Sequence, residues 1–150
     1  GWVTPRNVKR TANYKLDTLE NKKTQCLRVW TKGQSNAEYF LVENRQQTGR
    51  DADLPGHGLA VWHIDERQAD NTNPIAYRVG LVQADGKRDI ELNRNGGDGG
   101  DVFPGTSNVT KVDDGGTFAP SLRSNDGLAT GLALSTIKEV GGVVSVRVKV

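Results

Sequence analysis

Between Asp89 and Gly105 the chain reads DIELNRNGGDGGDVFPG, a run in which acidic and amide side chains alternate with glycines. Asp89, Glu91, Asn93, Asn95, Asp98 and Asp101 all carry oxygen donors, and the intervening glycines let backbone carbonyls turn inward. A hard cation such as calcium takes about six to eight oxygen ligands on a flexible framework, and this composition supplies both. Asp98 and Asp101 are the first candidates as metal ligands, with Asp65, Asp85 and Asp89 behind them.

Two known calcium architectures can be tried on the loop. The stretch GGDGGDVFP, residues 96–104, fits the glycine-rich nonapeptide of parallel β-rolls, with Asp101 at the acidic position and Phe103 at the apolar one. Each ion in that architecture is shared between stacked turns, so a single copy must borrow ligands from elsewhere in the chain. An EF-hand frame places Glu91, Asn93, Asn95 and Gly96 at its first, third, fifth and sixth positions, but its twelfth falls on Val102, which has no carboxylate. The competing reading is a metal-free loop held by turn chemistry, which also accounts for Asp51 and Asp53 in the QQTGRDADLP connection.

Other chemistries lack their marks. A zinc protease centre of the HExxH type needs two histidines four apart on a helix, whereas His57 and His63 are six apart in a strand-like stretch. No nucleophile elbow, P-loop or dinucleotide fingerprint is present. A carboxylate pair such as Glu43 with Asp65 offers glycosidic cleavage only at the right separation.

Strands must position these groups. Tyr39 to Asn44 sets Tyr39 and Leu41 on one face and Phe40 and Val42 on the other, the pattern of a strand covered on both sides. Gly58 to Asp65 alternates in the same way, and each of the two ends in charge: Glu43 and Arg45 on the first, His63, Asp65 and Glu66 on the second. Charges beside a core are kept when paired, so structural ion pairs are the plain reading of these ends.

Further strands are expected over Tyr14 to Glu20, Thr24 to Thr31, Ala76 to Ala84, Leu132 to Ile137 and Val143 to Val150. Asn21 to Lys23 reads as a hairpin turn between the first two, and Gly141-Gly142 as one between the last two. The opening GWVTPRNV suits an edge strand, with Trp2 as an interface anchor. With at least seven strands, 18 glycines and no amphipathic helix, the expected fold is an all-β antiparallel sandwich, of jelly-roll kind in one variant.

At 150 residues the chain is one domain, 1–150, with a single core. Twenty basic and 18 acidic residues are spread evenly to a net charge of +2, so no basic stripe points to nucleic acid. No apolar run is long enough for a membrane span. A single cysteine, Cys26, rules out an intrachain disulfide. No signal peptide opens the sequence, and the start at Gly1 with the absence of methionine suggests a fragment or processed product, a module taken from a longer polypeptide.

The strings EYFLVENRQ and LPGHGLAVWHIDE, followed in order by LVQADGK, GGDGGDVFPG and TGLALSTI, resemble the segment after the catalytic domain in the immune inhibitor A-like family of secreted bacterial zinc metalloproteases. The resemblance runs from Gly1 to Val150, and the family's catalytic motif is not in it. It implies a secreted, non-catalytic β domain that buttresses an upstream catalytic domain of the same polypeptide. It further implies structural calcium here, with zinc confined to that catalytic domain. A similar acidic FPG loop recurs in the family.

A second expectation comes from another class of function. β-Sandwiches often carry sugars on exposed aromatics near a structural calcium, which would make Trp30, Trp62 and Tyr77 a platform for a polysaccharide or protein substrate.

Overall fold

The computed structural model describes residues 3–18, 25–116 and 120–150. Trp2 and the Asn21 to Lys23 turn lie outside these residues. The described chain forms nine strands: β1 (Arg6–Val8), β2 (Ala12–Leu16), β3 (Leu27–Val29), β4 (Glu38–Arg45), β5 (Gly58–Asp65), β6 (Val79–Leu81), β7 (Val112–Asp113), β8 (Ala133–Val140) and β9 (Val143–Lys149). Two short 3-10 turns are its only helical pieces.

The architecture is an all-β sandwich. One sheet has the order β1-β3-β4-β5-β6 and the other β2-β9-β8-β7. β3 to β6 run as consecutive antiparallel neighbours, and β1 joins the edge by pairing parallel to β3. β2 and β3 stand in different sheets, so the expected hairpin between them is a crossover instead. A polar Asn-Lys-Lys connection reads alike in both cases, and the choice of partner strand decides between them.

Register assigns the faces. Phe40 opposes His63 and Val42 opposes Val61, and these residues point inward with Leu27, Val29 and Leu59. Leu16, Val112, Leu134, Ile137, Val144, Val146 and Val148 come from the second sheet to complete one continuous core. The outer face of β4 and β5 is less well covered than the two-sided apolar pattern suggests, since Leu41 and Trp62 are only half-buried.

Two local devices shape the second sheet. Gly141 and Gly142 have φ of +57° and +77°, and a two-residue turn with left-handed backbone at both positions matches the strand twist of a tight hairpin. In β8 the register slips between Ser135 and Lys138, a bulge with Thr136 at φ +51°. Ile137, just after it, is 2 % exposed and donates its backbone N–H to Thr110 O at 3.0 Å.

The Ala76 to Ala84 strand is shorter than its apolar pattern predicts, holding strand geometry only over Val79–Leu81. Beyond Leu81 the backbone changes partner. Val82 N–H still bonds Val61 O, but Ala84 and Asp85 N–H groups donate to Asp101 O and Gly100 O, each at 3.0 Å.

Candidate metal centre

That change of partner builds the site. Leu59 and Phe103 exchange backbone hydrogen bonds of 2.7 and 2.9 Å, which ties the glycine-rich loop to the start of β5. Phe103 is fully buried and acts as the anchor of the loop in the core. With 84–85 bonded on one side and Leu59 on the other, the segment 98–103 is held against the sheet, and Asp85 faces Asp98 and Asp101.

One carboxylate oxygen from each of Asp85, Asp98 and Asp101 lies within 4.8 Å of the others. Gly100 makes room for this approach: a Cβ there would come 2.8 Å from Asp85 Oδ2 and 3.0 Å from Asp98 Oδ1. The loop's own amides bind some of the oxygens. Asp98 N–H donates to Asp101 Oδ2 at 2.6 Å, Gly100 N–H to Asp98 Oδ1 at 2.7 Å, and Asn95 Nδ2 to Asp98 Oδ2 at 3.1 Å.

The electrostatics of the three differ. Burial raises the Asp101 carboxyl above its ordinary range, the Asp98 amide pulls it partly back, and the neighbouring charges of Asp98, Asp85 and Asp89 push it further up. For Asp85 burial acts in the same direction, but Lys87 outweighs it and holds the carboxyl below the usual range. The Lys87 Nζ lies 2.9 Å from Asp85 Oδ2, the one cation in contact with the trio among the described residues.

The donor set fits a hard cation. Oxygens that share calcium at about 2.3–2.6 Å stand no more than about 5 Å apart, which matches the spacing here. Three carboxylates against one ammonium also leave an excess of negative charge. Three protein ligands are fewer than calcium takes, so water and backbone carbonyls must supply the rest.

The other two candidates lie elsewhere. Asp89 pairs with Arg94, whose Nη1 is 3.4 Å away, and stays outside the trio while still adding to its field. Asp65 is fully buried at the far end of β5 and binds no acidic neighbour of the loop. Its oxygens accept Arg67 Nε at 2.8 Å and Nη2 at 3.0 Å, Gln68 Nε2 at 3.1 Å and Asn125 Nδ2 at 2.9 Å. Burial alone would raise the Asp65 carboxyl, but these bonds outweigh it and hold it well below the usual range.

Glu38, directly opposite Asp65 in register, completes this network. Its carboxylate accepts His63 Nε2 at 2.8 Å, the Asn125 backbone N–H and Arg67 Nη2. The His63 ring stacks on Phe40 with centroids 4.6 Å apart. Sequence reasoning missed Glu38 and Asn125. An antiparallel register for β4 and β5 would have found the first, while no local signal marks Asn125.

Ion pairs take the charged strand ends except Glu66, which accepts the Tyr39 hydroxyl at 2.7 Å. Arg45 Nε lies 3.4 Å from Asp51 and 3.7 Å from Glu43, and Glu43 also accepts the Trp62 indole N–H at 2.9 Å. His57 Nδ1 sits 2.9 Å from Glu139 Oε1, linking the two sheets. Glu43 pairs with Ala60, five residues from Asp65 along β5, or about 17 Å at the usual strand rise. Glycosidase carboxylates stand about 5–10 Å apart, so this pair is not one.

Of the aromatic candidates, Trp30 is buried, packs edge-on against Tyr39 and donates its indole N–H to Asn36 O at 3.1 Å. Trp62 and Tyr77 are half-buried. No family model, no curated protein and no solved structure matches this chain.

Proposed function

We propose that this chain is a non-catalytic β domain, stabilised by calcium at Asp85, Asp98 and Asp101, from a secreted metalloprotease resembling immune inhibitor A. The observation that carries the metal part is the convergence of three carboxylates on a loop whose glycines permit it. The ordered family-like strings from Glu38 to Ile137 support the rest. The domain's task is to hold a rigid face to the catalytic domain, and the cation stiffens the longest irregular segment of that support. When bound, calcium neutralises mutually repelling carboxylates and cross-links segment 84–85 to the loop.

The test is calcium binding to the isolated domain by calorimetry, with melting followed in millimolar calcium and in chelator, beside an assay for protein hydrolysis. Saturable binding with a raised melting temperature and no hydrolysis is expected. Hydrolysis abolished by a zinc chelator would overturn the non-catalytic role, and identical melting curves would overturn the metal.

A further inference from the structure

A cleft of about 360 Å³ opens beside β6, walled by segments 74–77, 88–91 and 121–127, and none of the three clustered aspartates lines it. Two guanidinium groups, those of Arg88 and Arg123, line it. Arg88 forms no ion pair with any described residue, although it is only partly exposed. Arg123 is anchored through neutral acceptors, its Nε on Gly116 O at 2.9 Å and its Nη1 on Gly127 O at 2.7 Å, so its charge is oriented and left unneutralised.

The remaining charges on the wall offset only part of this. Glu91 is the single carboxylate there, so its one negative charge against two guanidinium groups leaves a net positive charge, and its Oε2 already accepts a hydrogen bond from Gln83 Nε2. His63 is committed to Glu38 through Nε2. Arg88 moreover has φ +59°, a left-handed conformation uncommon for a residue with a long side chain and often found where geometry serves a site.

The apolar part of the wall is equally distinct. Ile75, at 84 % exposure, stands uncovered at the rim, with Tyr77 and Leu81 deeper in the wall. Guanidinium groups recognise carboxylates through paired, charge-assisted hydrogen bonds, and an apolar wall beside them selects a carboxylate with a hydrophobic neighbour. We infer that this cleft binds a peptide carboxylate flanked by an aliphatic side chain, with Arg88 and Arg123 on the carboxylate and Ile75, Tyr77 and Leu81 against the apolar group. The inference does not depend on the calcium reading.

The experiment is an amide-resolved NMR titration of the whole chain with three probes. N-acetyl-Leu-Leu offers a terminal carboxylate, N-acetyl-Leu-Glu-amide a side-chain carboxylate, and N-acetyl-Leu-Leu-amide neither. At least one acid should bind saturably and at least fivefold more tightly than the neutral amide, with shifts at Tyr77, Leu81 and Asn125; which acid binds identifies the source of the carboxylate. Arg88→Asn, a residue that tolerates the left-handed backbone, should weaken that binding fivefold or more at an unchanged melting temperature, and Arg88→Lys should restore part of it. Equal binding of acid and amide, no binding, an Arg88→Asn affinity equal to that of the unaltered chain, or inorganic phosphate competing as well as the acids would each overturn the assignment.

Discussion

The backbone N–H of Asp98 donates to Oδ2 of Asp101 at 2.6 Å, so two of the loop's carboxylate residues are locked together by a bond that one makes to the other. This bond favours the ionised form of Asp101, yet burial and the charges of Asp98, Asp85 and Asp89 outweigh it. The loop is therefore held in a shape that its own charges oppose, and the proposed divalent cation would remove the opposition.

Calcium should raise the melting temperature of the domain by mass action. At a free concentration about a hundredfold above the dissociation constant the gain is about 2.7 kcal/mol, or roughly 5–10 °C for a chain of this size. Differential scanning calorimetry with and without chelator measures it.

Asp101→Asn should separate the metal reading from a plain turn. Without calcium the variant keeps an acceptor for the Asp98 N–H and loses the disfavoured charge, so it melts at or above the temperature of the unaltered chain at neutral pH. The calcium-dependent shift should disappear. A full shift retained in Asp101→Asn would show that the cation sits elsewhere.

The pH dependence of the metal-free domain follows from the sign of the Asp101 shift. A carboxyl raised in the folded state contributes stability that is fully present below its ordinary value of 3.8 and is lost as pH rises through the raised one. A calcium ion bound at the proposed site would offset that loss and compete with the proton, so its stabilising effect should be small near pH 4 and grow towards pH 7. Melting curves across this range, with and without calcium, give the difference directly.

Asp65 has the opposite sign. Its carboxyl is held low, so its contribution is present above the ordinary value of 3.8 and is lost as pH falls through the lowered one. Asp65→Ala removes an acceptor shared by Arg67, Asn125 and Gln68 and should cost about 3 kcal/mol at neutral pH, with the deficit narrowing below about pH 3. Urea denaturation at several pH values tests both the size and the trend.

Gly58→Ala should destabilise the domain for a steric reason unrelated to charge. Gly58 has φ +134°, and a Cβ there would come 2.5 Å from Phe103 O, the acceptor of the Leu59 N–H. The bridge that ties the acidic loop to β5 must shift, at a cost of about 1–3 kcal/mol. Calcium affinity should fall with it if the loop holds the ion, which calorimetry on the variant checks.

Much of the fold is legible along the chain because strands declare themselves by alternation. The β4 and β5 runs, the Gly141-Gly142 hairpin and the alternating valines of β9 are all local patterns, and local backbone physics is enough to produce them. The acidic glycine loop is equally local, since its donors and its freedom to turn both come from residues 89–105. Composition alone marked it.

What tertiary structure decided is partnership. Asp85, Asp89 and Asp65 look alike in sequence, but the backbone bonds of 84–85 to 100–101 carry Asp85 to the loop, Arg94 takes Asp89, and Arg67 and Asn125 take Asp65. β2 and β3 likewise follow each other in the chain and part into separate sheets. Such choices rest on register and on contacts tens of residues away, where a side chain's neighbours are set by the packing of whole sheets and not by the residues beside it.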